Sequence, residues 1–410
     1  MKKQSFNTEL LHTKYGKSDP YNSLNFPVYN SAAYEFESAE QMESAFTGKT
    51  NEYAYSRITN PTVQYFEDRI KTITGAFSVT ALNSGMAAIT NAIITVAKKG
   101  SNIVTSRHLF GNTYSLFAST LADFGLEARF CDLTNLAEVE ANIDDKTAAL
   151  FLEIITNPQM EVADLKGLSE ICKTKKTPLI ADTTIVPFCA FKATDFGVDI
   201  EIVSSTKYIS GGATSLGGII LDYGSFDWSG SEKLNVLAQT FGKGAFTAKL
   251  RKEVHRNLGA YMTPQVAYMQ TIGLETLTLR YKQSSSTCKL LTELIADLSG
   301  VETVNYTGLE QNPYYTISKK QFGENPGAMF TFDLSSREAA FAFLNKLKLI
   351  KRSTNLFDNK TLAIHPASTI FGTFTQEQRN AMNVSDKTIR ISVGLEETED
   401  LFEDFKQALS

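Results

Sequence analysis

Lys207 stands at the end of Ser204-Ser205-Thr206-Lys207, with glycines following at Gly211-Gly212 and Gly217-Gly218. An amine among hydroxyls and glycines is poorly placed for solvent and well placed to form an imine with a carbonyl compound. Other stretches end in groups that would complement it. Asn83-Ser84-Gly85-Met86 opens an apolar helical pattern, and the free N–H groups of Gly85 and Met86 at such a start can bind phosphate, helped by the positive helix end. Asp182 closes PLIAD and is followed by Thr183 and Thr184; a carboxylate there can hold a pyridine nitrogen protonated, so that the ring accepts electrons from a carbanion. Asn157-Pro158 follows Glu153, and its amide can hydrogen-bond a ring oxygen. Taken singly, each has a plainer reading: a cap, a turn residue, a turn pair, a solvated lysine. Together they form a coherent chemical set.

What would bring them together is the order of elements. FSVTAL (77–82) precedes GMAAITNAIITVAKK, where Met86, Ile89, Ile93 and Val96 recur at helical spacing. NIVTS, a helix near 113–123, TAALFLE, a helix near 164–176, PLIAD, EIVSS and GGIILD continue the series. Strands alternating with helices predict an α/β fold, a mainly parallel sheet covered by helices. In such sheets ligands bind outside the carboxyl ends of the strands, where every residue named above falls. After about residue 257 the pattern changes to long helices near 264–297 and strands such as AMFTFDL and TIRISVG. The expected organisation is an N-terminal arm (1–58), a large domain (59–257) and a smaller α+β C-terminal domain (258–410), since 410 residues exceed one compact core.

Composition narrows the function classes. Apolar and charged fractions of 42% and 21% are those of a globular protein and exclude disorder and coiled coil. The net charge of −5 is spread without a basic block, which argues against nucleic acid and anionic membranes as partners. MKKQSFNTELLHTKYGK has no apolar run behind its lysines and does not read as a secretory leader. Cys131, Cys172, Cys189 and Cys288 lie far apart, as expected for buried thiols in a reducing compartment, and the cytoplasm is the expected location. Gly48-Lys49-Thr50 resembles the end of a P-loop, but Glu43 occupies the place of the first glycine. The four histidines are scattered, so no metal site is expected.

YAYSRITNPT, NSGMAAI, EIITNP, ADTT, SSTKYISGG, HPAST and RISVGLEE, in this order along nearly the whole chain, resemble the Cys/Met-metabolism pyridoxal-phosphate enzymes. That family includes cystathionine synthases and lyases, methionine γ-lyases and O-acylhomoserine sulfhydrylases. The resemblance implies a fold-type I, aminotransferase-like architecture, pyridoxal 5′-phosphate as cofactor and a homotetramer built from two catalytic dimers. It implies Lys207 as the imine-forming lysine, Asp182 as partner of the pyridine nitrogen, and Gly85, Met86, Ser204 and Thr206 as phosphate ligands. Tyr55 and Arg57 would reach the phosphate in the neighbouring subunit, a contact suited to a guanidinium. Arg390 would clamp the substrate α-carboxylate, with Asn355 beside it. Phe110 stands where members usually have a tyrosine; it can stack on the cofactor but has no hydroxyl to exchange a proton, which leaves Lys207 and Tyr55 for that work. Asn112 stands where methionine γ-lyases characteristically carry a cysteine. TNLFDNKTLAIHPAST resembles the O-acetylhomoserine sulfhydrylase branch, implying γ-replacement on an O-acylhomoserine by sulfide or methanethiol. The same scaffold also serves methionine γ-lyase and cystathionine γ-synthase or lyase, and a non-catalytic binding protein is the reading from another class.

Overall fold

A computed structural model describes residues 5–13 and 19–410. The remainder of the expected arm, and with it most of the charged start, lies outside the described residues. Twelve strands are described: β1 (Ser78–Leu82), β2 (Asn102–Ser106), β3 (Glu127–Cys131), β4 (Thr147–Glu153), β5 (Leu179–Asp182), β6 (Ile200–Val203), β7 (Gly218–Asp222), β8 (Thr303–Asn305), β9 (Met329–Asp333), β10 (Lys351–Arg352), β11 (Leu362–Ile364) and β12 (Thr388–Ser392). The chain forms two compact units. The first comprises Met1–Val96, Ile202–Ser210 and Thr214–Glu275; the second comprises Ala97–Glu201, Gly211–Ala213 and Thr276–Ser410.

In the first unit β1 runs antiparallel to β7, with Ser78 opposite Asp222 and Leu82 opposite Gly218. The helix Gly85–Val96 buries Ala88, Ile89, Ala92, Ile93 and Val96 and packs on both strands. It is apolar nearly all round, as a helix covered on every side must be. The helix Pro61–Thr74 has strong boundary signals. The Asn60 side chain accepts from the N–H groups of Thr62 and Val63, Pro61 occupies the first turn, and Gly75 closes the helix in the left-handed region. Its buried charges are all engaged. Glu67 accepts from the Ala81 N–H (2.7 Å) and pairs with Arg251 (2.6 Å), while Arg69 pairs with Glu275 and donates to the Leu10 carbonyl. Arg69 thereby ties the short N-terminal helix Phe6–Leu11 to this unit.

In the second unit β3, β2, β4 and β5 are parallel neighbours in that order, and the register sets Glu153 at the end of β4 against Asp182 at the end of β5. A second sheet of five strands runs β10-β11-β12-β9-β8, antiparallel except for β10 with β11. Phe330, Phe332, Phe343 and Phe405 pack against one another beneath it. The helix Thr398–Leu409 contributes Leu401, Phe405 and Ala408 to that core. On the same helix, Asp404 accepts the N–H groups of Lys348, Leu349 and Ile350. Burial alone would raise its carboxyl; those three bonds and Gln407 outweigh it and hold the group below the usual range.

The expected strands and helices are present, with three differences. β1 and β7 are antiparallel to each other rather than parallel. β3, absent from the sequence reading, is exposed or half-buried over four of its five residues, so its polar Glu127 and Arg129 concealed it. The helix expected near 113–123 is broken into Gly111–Ser115, a π turn over Leu116–Thr120 and a 3₁₀ turn over Ala122–Phe124. All four cysteines are unpaired thiols, with Cys131, Cys172 and Cys288 buried and Cys189 partly so. Among the described residues no helix is long and apolar enough to cross a membrane.

Candidate active site

In the first unit the chain leaving β6 turns back at once. The Lys207 N–H donates to the Ser204 carbonyl (3.2 Å), and the Thr206 N–H donates to the Gly217 carbonyl (3.3 Å). The Thr206 hydroxyl accepts from the Gly217 N–H (3.0 Å) and donates to the Gly217 carbonyl (3.2 Å), so it braces this turn. Ser210 Oγ donates to the carbonyls of Thr206 and Lys207 from the far side. Lys207 is therefore half-buried in a run of buried residues, on a backbone held at several points.

Facing that turn is the start of the helix Gly85–Val96, where the Ser84 hydroxyl accepts from the Ala87 N–H (3.1 Å). A Cβ on Gly85 would lie 2.7 Å from Ser204 Cβ and 2.9 Å from Ser204 Oγ. The helix N-terminus with Gly85 and Met86 thus meets the Ser204 hydroxyl at a distance only glycine permits. Gly218 makes a similar approach, since a Cβ there would stand 2.0 Å from the Ser84 carbonyl oxygen. Tyr55 and Arg57 lie elsewhere in this unit. Tyr55 is 41% exposed, the Arg57 guanidinium sits 5.3 Å from its ring centre, and Arg57 Nη1 donates to the Arg256 carbonyl. Arg57, Lys252, His255 and Arg256 help line a cavity of about 780 Å³. Burial, then the charges of Arg251 and Arg57, push His255 down to about 4.

In the second unit Asp182 Oδ1 accepts the Thr184 N–H (2.9 Å), which fixes the carboxylate at the strand end. Glu153 Oε1 accepts the Phe110 N–H (2.9 Å). Its carboxyl is pushed up to about 8, first by burial and then by the Asp182 charge, against the pull of the Phe110 and Asn157 N–H groups. Arg390, in the middle of β12, is 2% exposed. Its Nη1 donates to Asn157 Oδ1 (3.1 Å), and Nη2 donates to the carbonyls of Thr354 (3.2 Å) and Asn355 (3.4 Å). Nε has no partner among the described residues. Among the described residues no carboxylate pairs with this guanidinium, and desolvation lowers it to about 9. A buried cation held by neutral acceptors is a place prepared for an anion.

Each sequence-derived residue thus has a definite place. Gly85, Met86, Ser204, Thr206 and Lys207 gather in the first unit, and Tyr55 and Arg57 line the arm there. Phe110, Asn157, Asp182, Asn355 and Arg390 belong to the second. Asn157 spends its carbonyl oxygen on Arg390, and Asn355 supports the guanidinium through its backbone rather than its side chain. Two features went unread. Glu153 closes β4, and the sequence signal for it is its position beside a strand ending in Asp182. The hydrogen bond between His108 Nδ1 and Glu161 Oε2 (2.7 Å) lies close in sequence to Phe110 and Asn157, and no local pattern announces it.

The family model for Cys/Met metabolism PLP-dependent enzymes matches residues 7–410. The chain belongs to this family. It is therefore an enzyme, with pyridoxal phosphate as its cofactor. Among solved structures, it is similar to one of Campylobacter jejuni named as an O-acetylhomoserine (thiol)-lyase. The TM-score is 0.92 at 32% identity, covering 99% of this chain and 100% of the other, and that structure contains a pyridoxyl-lysine monophosphate residue. The O-acetylhomoserine sulfhydrylase of Wolinella succinogenes, described as acting in methionine biosynthesis, is 43% identical with a TM-score of 0.77, over 86% of this chain and 99% of the other. The L-methionine γ-lyase of Fusobacterium nucleatum is 33% identical over 100% of this chain and 99% of its own. The architecture is that of fold-type I pyridoxal-phosphate enzymes.

The residues present fit that cofactor. In the first unit the opening that a Cβ on Gly85 would fill brings a helix N-terminus to a serine hydroxyl, a donor set for a phosphate, and Lys207 adds an amine. In the second, Asp182 offers a carboxylate for a ring nitrogen.

Proposed function

We propose that the chain catalyses γ-replacement on an O-acylhomoserine, with O-acetyl-L-homoserine preferred and sulfide or methanethiol as the incoming group, yielding homocysteine or methionine. The observation that carries this reading is Arg390, a buried guanidinium held by an amide and two carbonyls, with no carboxylate partner among the described residues. An amino-acid substrate supplies that partner as its α-carboxylate. The similarity to several named sulfhydrylases, among them one 43% identical over 86% of this chain, supports the replacement reading. So does Asn112, in the place of the lyases' characteristic cysteine.

Bound pyridoxal phosphate supplies an electron sink that makes negative charge tolerable on the substrate carbons beside it. Gly85, Met86, Ser204 and Thr206 would hold its phosphate, Asp182 would keep a proton on its ring nitrogen, and Asn157 would flank the ring. Lys207 would carry it, and its free amine would take the proton from the substrate α-carbon, hand that proton on, and only then be able to take one from the β-carbon. Arg390 would hold the α-carboxylate of the substrate. Phe110 would cover the ring and exclude water; having no hydroxyl, it leaves proton movement to Lys207 and Tyr55. We further propose a cytoplasmic homotetramer of two catalytic dimers, in which Tyr55 and Arg57 of the arm serve the neighbouring subunit's phosphate. The exposure of Tyr55 and the open cavity beside Arg57 are consistent with that. In that reading residues 59–257 form the cofactor domain and 258–410 the smaller one.

A single panel tests the function. O-acetyl- and O-succinylhomoserine are each supplied with sulfide, methanethiol or cysteine, beside methionine alone. Homocysteine from O-acetylhomoserine and sulfide is the expected main product. Efficient release of 2-oxobutanoate from methionine alone would make the enzyme a lyase, and cystathionine from cysteine would make it a synthase.

A further inference from the structure

Phe110 and Asn157 lie on two different loops of the second unit, yet one side chain touches both backbones. Glu153 Oε1 accepts the Phe110 N–H at 2.9 Å, and the same carboxyl accepts the Asn157 N–H. Asn157 in turn holds Arg390 through its side chain at 3.1 Å. The ring platform and the carboxylate clamp therefore share an anchor at the end of β4. We infer that Glu153 is a positioning residue that couples the Phe110 ring to the Asn157–Arg390 clamp. This rests on the reading of Phe110 and Arg390 given above, and it adds a component that neither motif nor family resemblance supplied.

The charge state of the anchor follows from its surroundings. From β5 the facing charged group is Asp182, in register with Glu153. From the loop after β2 come Phe110 and His108, the latter already engaged by Glu161. From the segment after β4 comes Asn157, with Arg390 behind it. Two carboxyls at adjacent strand ends do not both ionise readily. The Asp182 carboxylate is held by the Thr184 N–H (2.9 Å), and its charge acts on Glu153. Glu153, pushed up to about 8, stays protonated at neutral pH. Once ionised, it would accept both N–H groups more strongly while repelling Asp182, so the placing of the two loops depends on its charge.

The test uses the holoenzyme and L-norleucine, an amino acid with a carboxylate but no leaving group, whose binding is read from the spectrum of the bound cofactor. Glu153→Gln keeps the shape and the neutral state, so near pH 7 its affinity should stay within about 3-fold of wild type, whereas Glu153→Ala should lose about 10-fold or more. From about pH 6.5 to about pH 9.5 the wild-type affinity should show a step that Glu153→Gln lacks. Comparing the two at each pH cancels titration of the ligand itself. In turnover, Glu153→Ala should raise KM more than it lowers kcat. An unchanged affinity in Glu153→Ala would overturn the inference, as would an identical pH step in wild type and Glu153→Gln. If Glu153→Ala fails to fold, the pH comparison still decides. The outcome is separable from the reaction type, because norleucine binding needs the clamp whether the enzyme replaces or eliminates.

Discussion

Replacing Arg390 with methionine separates what a residue does for function from what it does for the fold. The side chain is 2% exposed, and desolvation lowers its guanidinium from the usual 12.5 to about 9. At about 1.36 kcal/mol per tenfold, that difference of about 3.5 in pKa corresponds to a penalty of about 5 kcal/mol for keeping the charge buried without an anion. Methionine removes the penalty and keeps much of the length. It also leaves the Asn157 oxygen and the carbonyls of Thr354 and Asn355 without their donor, at about 1–2 kcal/mol each. The two sums nearly cancel, so the ligand-free variant should melt within about 3 °C of wild type. Binding of the substrate carboxylate has no such compensation. Losing two charge-assisted bonds of about 1.5–2 kcal/mol each should lower kcat/KM by about 10²–10³-fold. The assays are thermal melting without ligand and steady-state kinetics with O-acetylhomoserine. A variant that melts more than about 10 °C lower while keeping its KM would refute the reasoning and make Arg390 a structural residue.

Lys207→Ala should purify without the visible absorbance of a lysine-bound cofactor and with almost no turnover; a yellow, active variant would remove Lys207 from the mechanism. Gly85→Ala must place a methyl 2.7 Å from Ser204 Cβ, and it should weaken cofactor binding by about 10-fold or more, measured by titrating the apoenzyme with pyridoxal phosphate. Unchanged cofactor affinity there would mean that the helix start does not receive the phosphate.

Much of this site was legible because strand–helix alternation dictates where loops must gather. Residues at the ends of β4, β5 and β6 could be named from the pattern alone, and Lys207 acquired its meaning from such neighbours. What stayed hidden depends on contacts without local periodicity. Arg390 and Asn157 stand 233 positions apart, and nothing in either segment says that one amide serves the other. Thr206 reads as a phosphate ligand in its motif, while the structure shows its hydroxyl bracing Gly217. β3 escaped detection because its exposed polar residues break the apolar run by which strands are recognised. The π and 3₁₀ turns after Ser115 are invisible to a template of period 3.6.

The support of Arg390 by main-chain oxygens bears on how such an enzyme can change its specificity. Thr354 and Asn355 hold the guanidinium through carbonyl groups, which every amino acid possesses. Side chains in that loop can therefore be exchanged without dismantling the anion receptor, provided the backbone path is kept. Anchorage and selectivity are inherited separately: the contact survives mutation, while the loop surface remains available for a new leaving group or nucleophile. A library confined to positions 354 and 355 should for this reason yield altered substrate preference at a far lower rate of inactive variants than one that also varies position 157, where the side chain itself makes the bond.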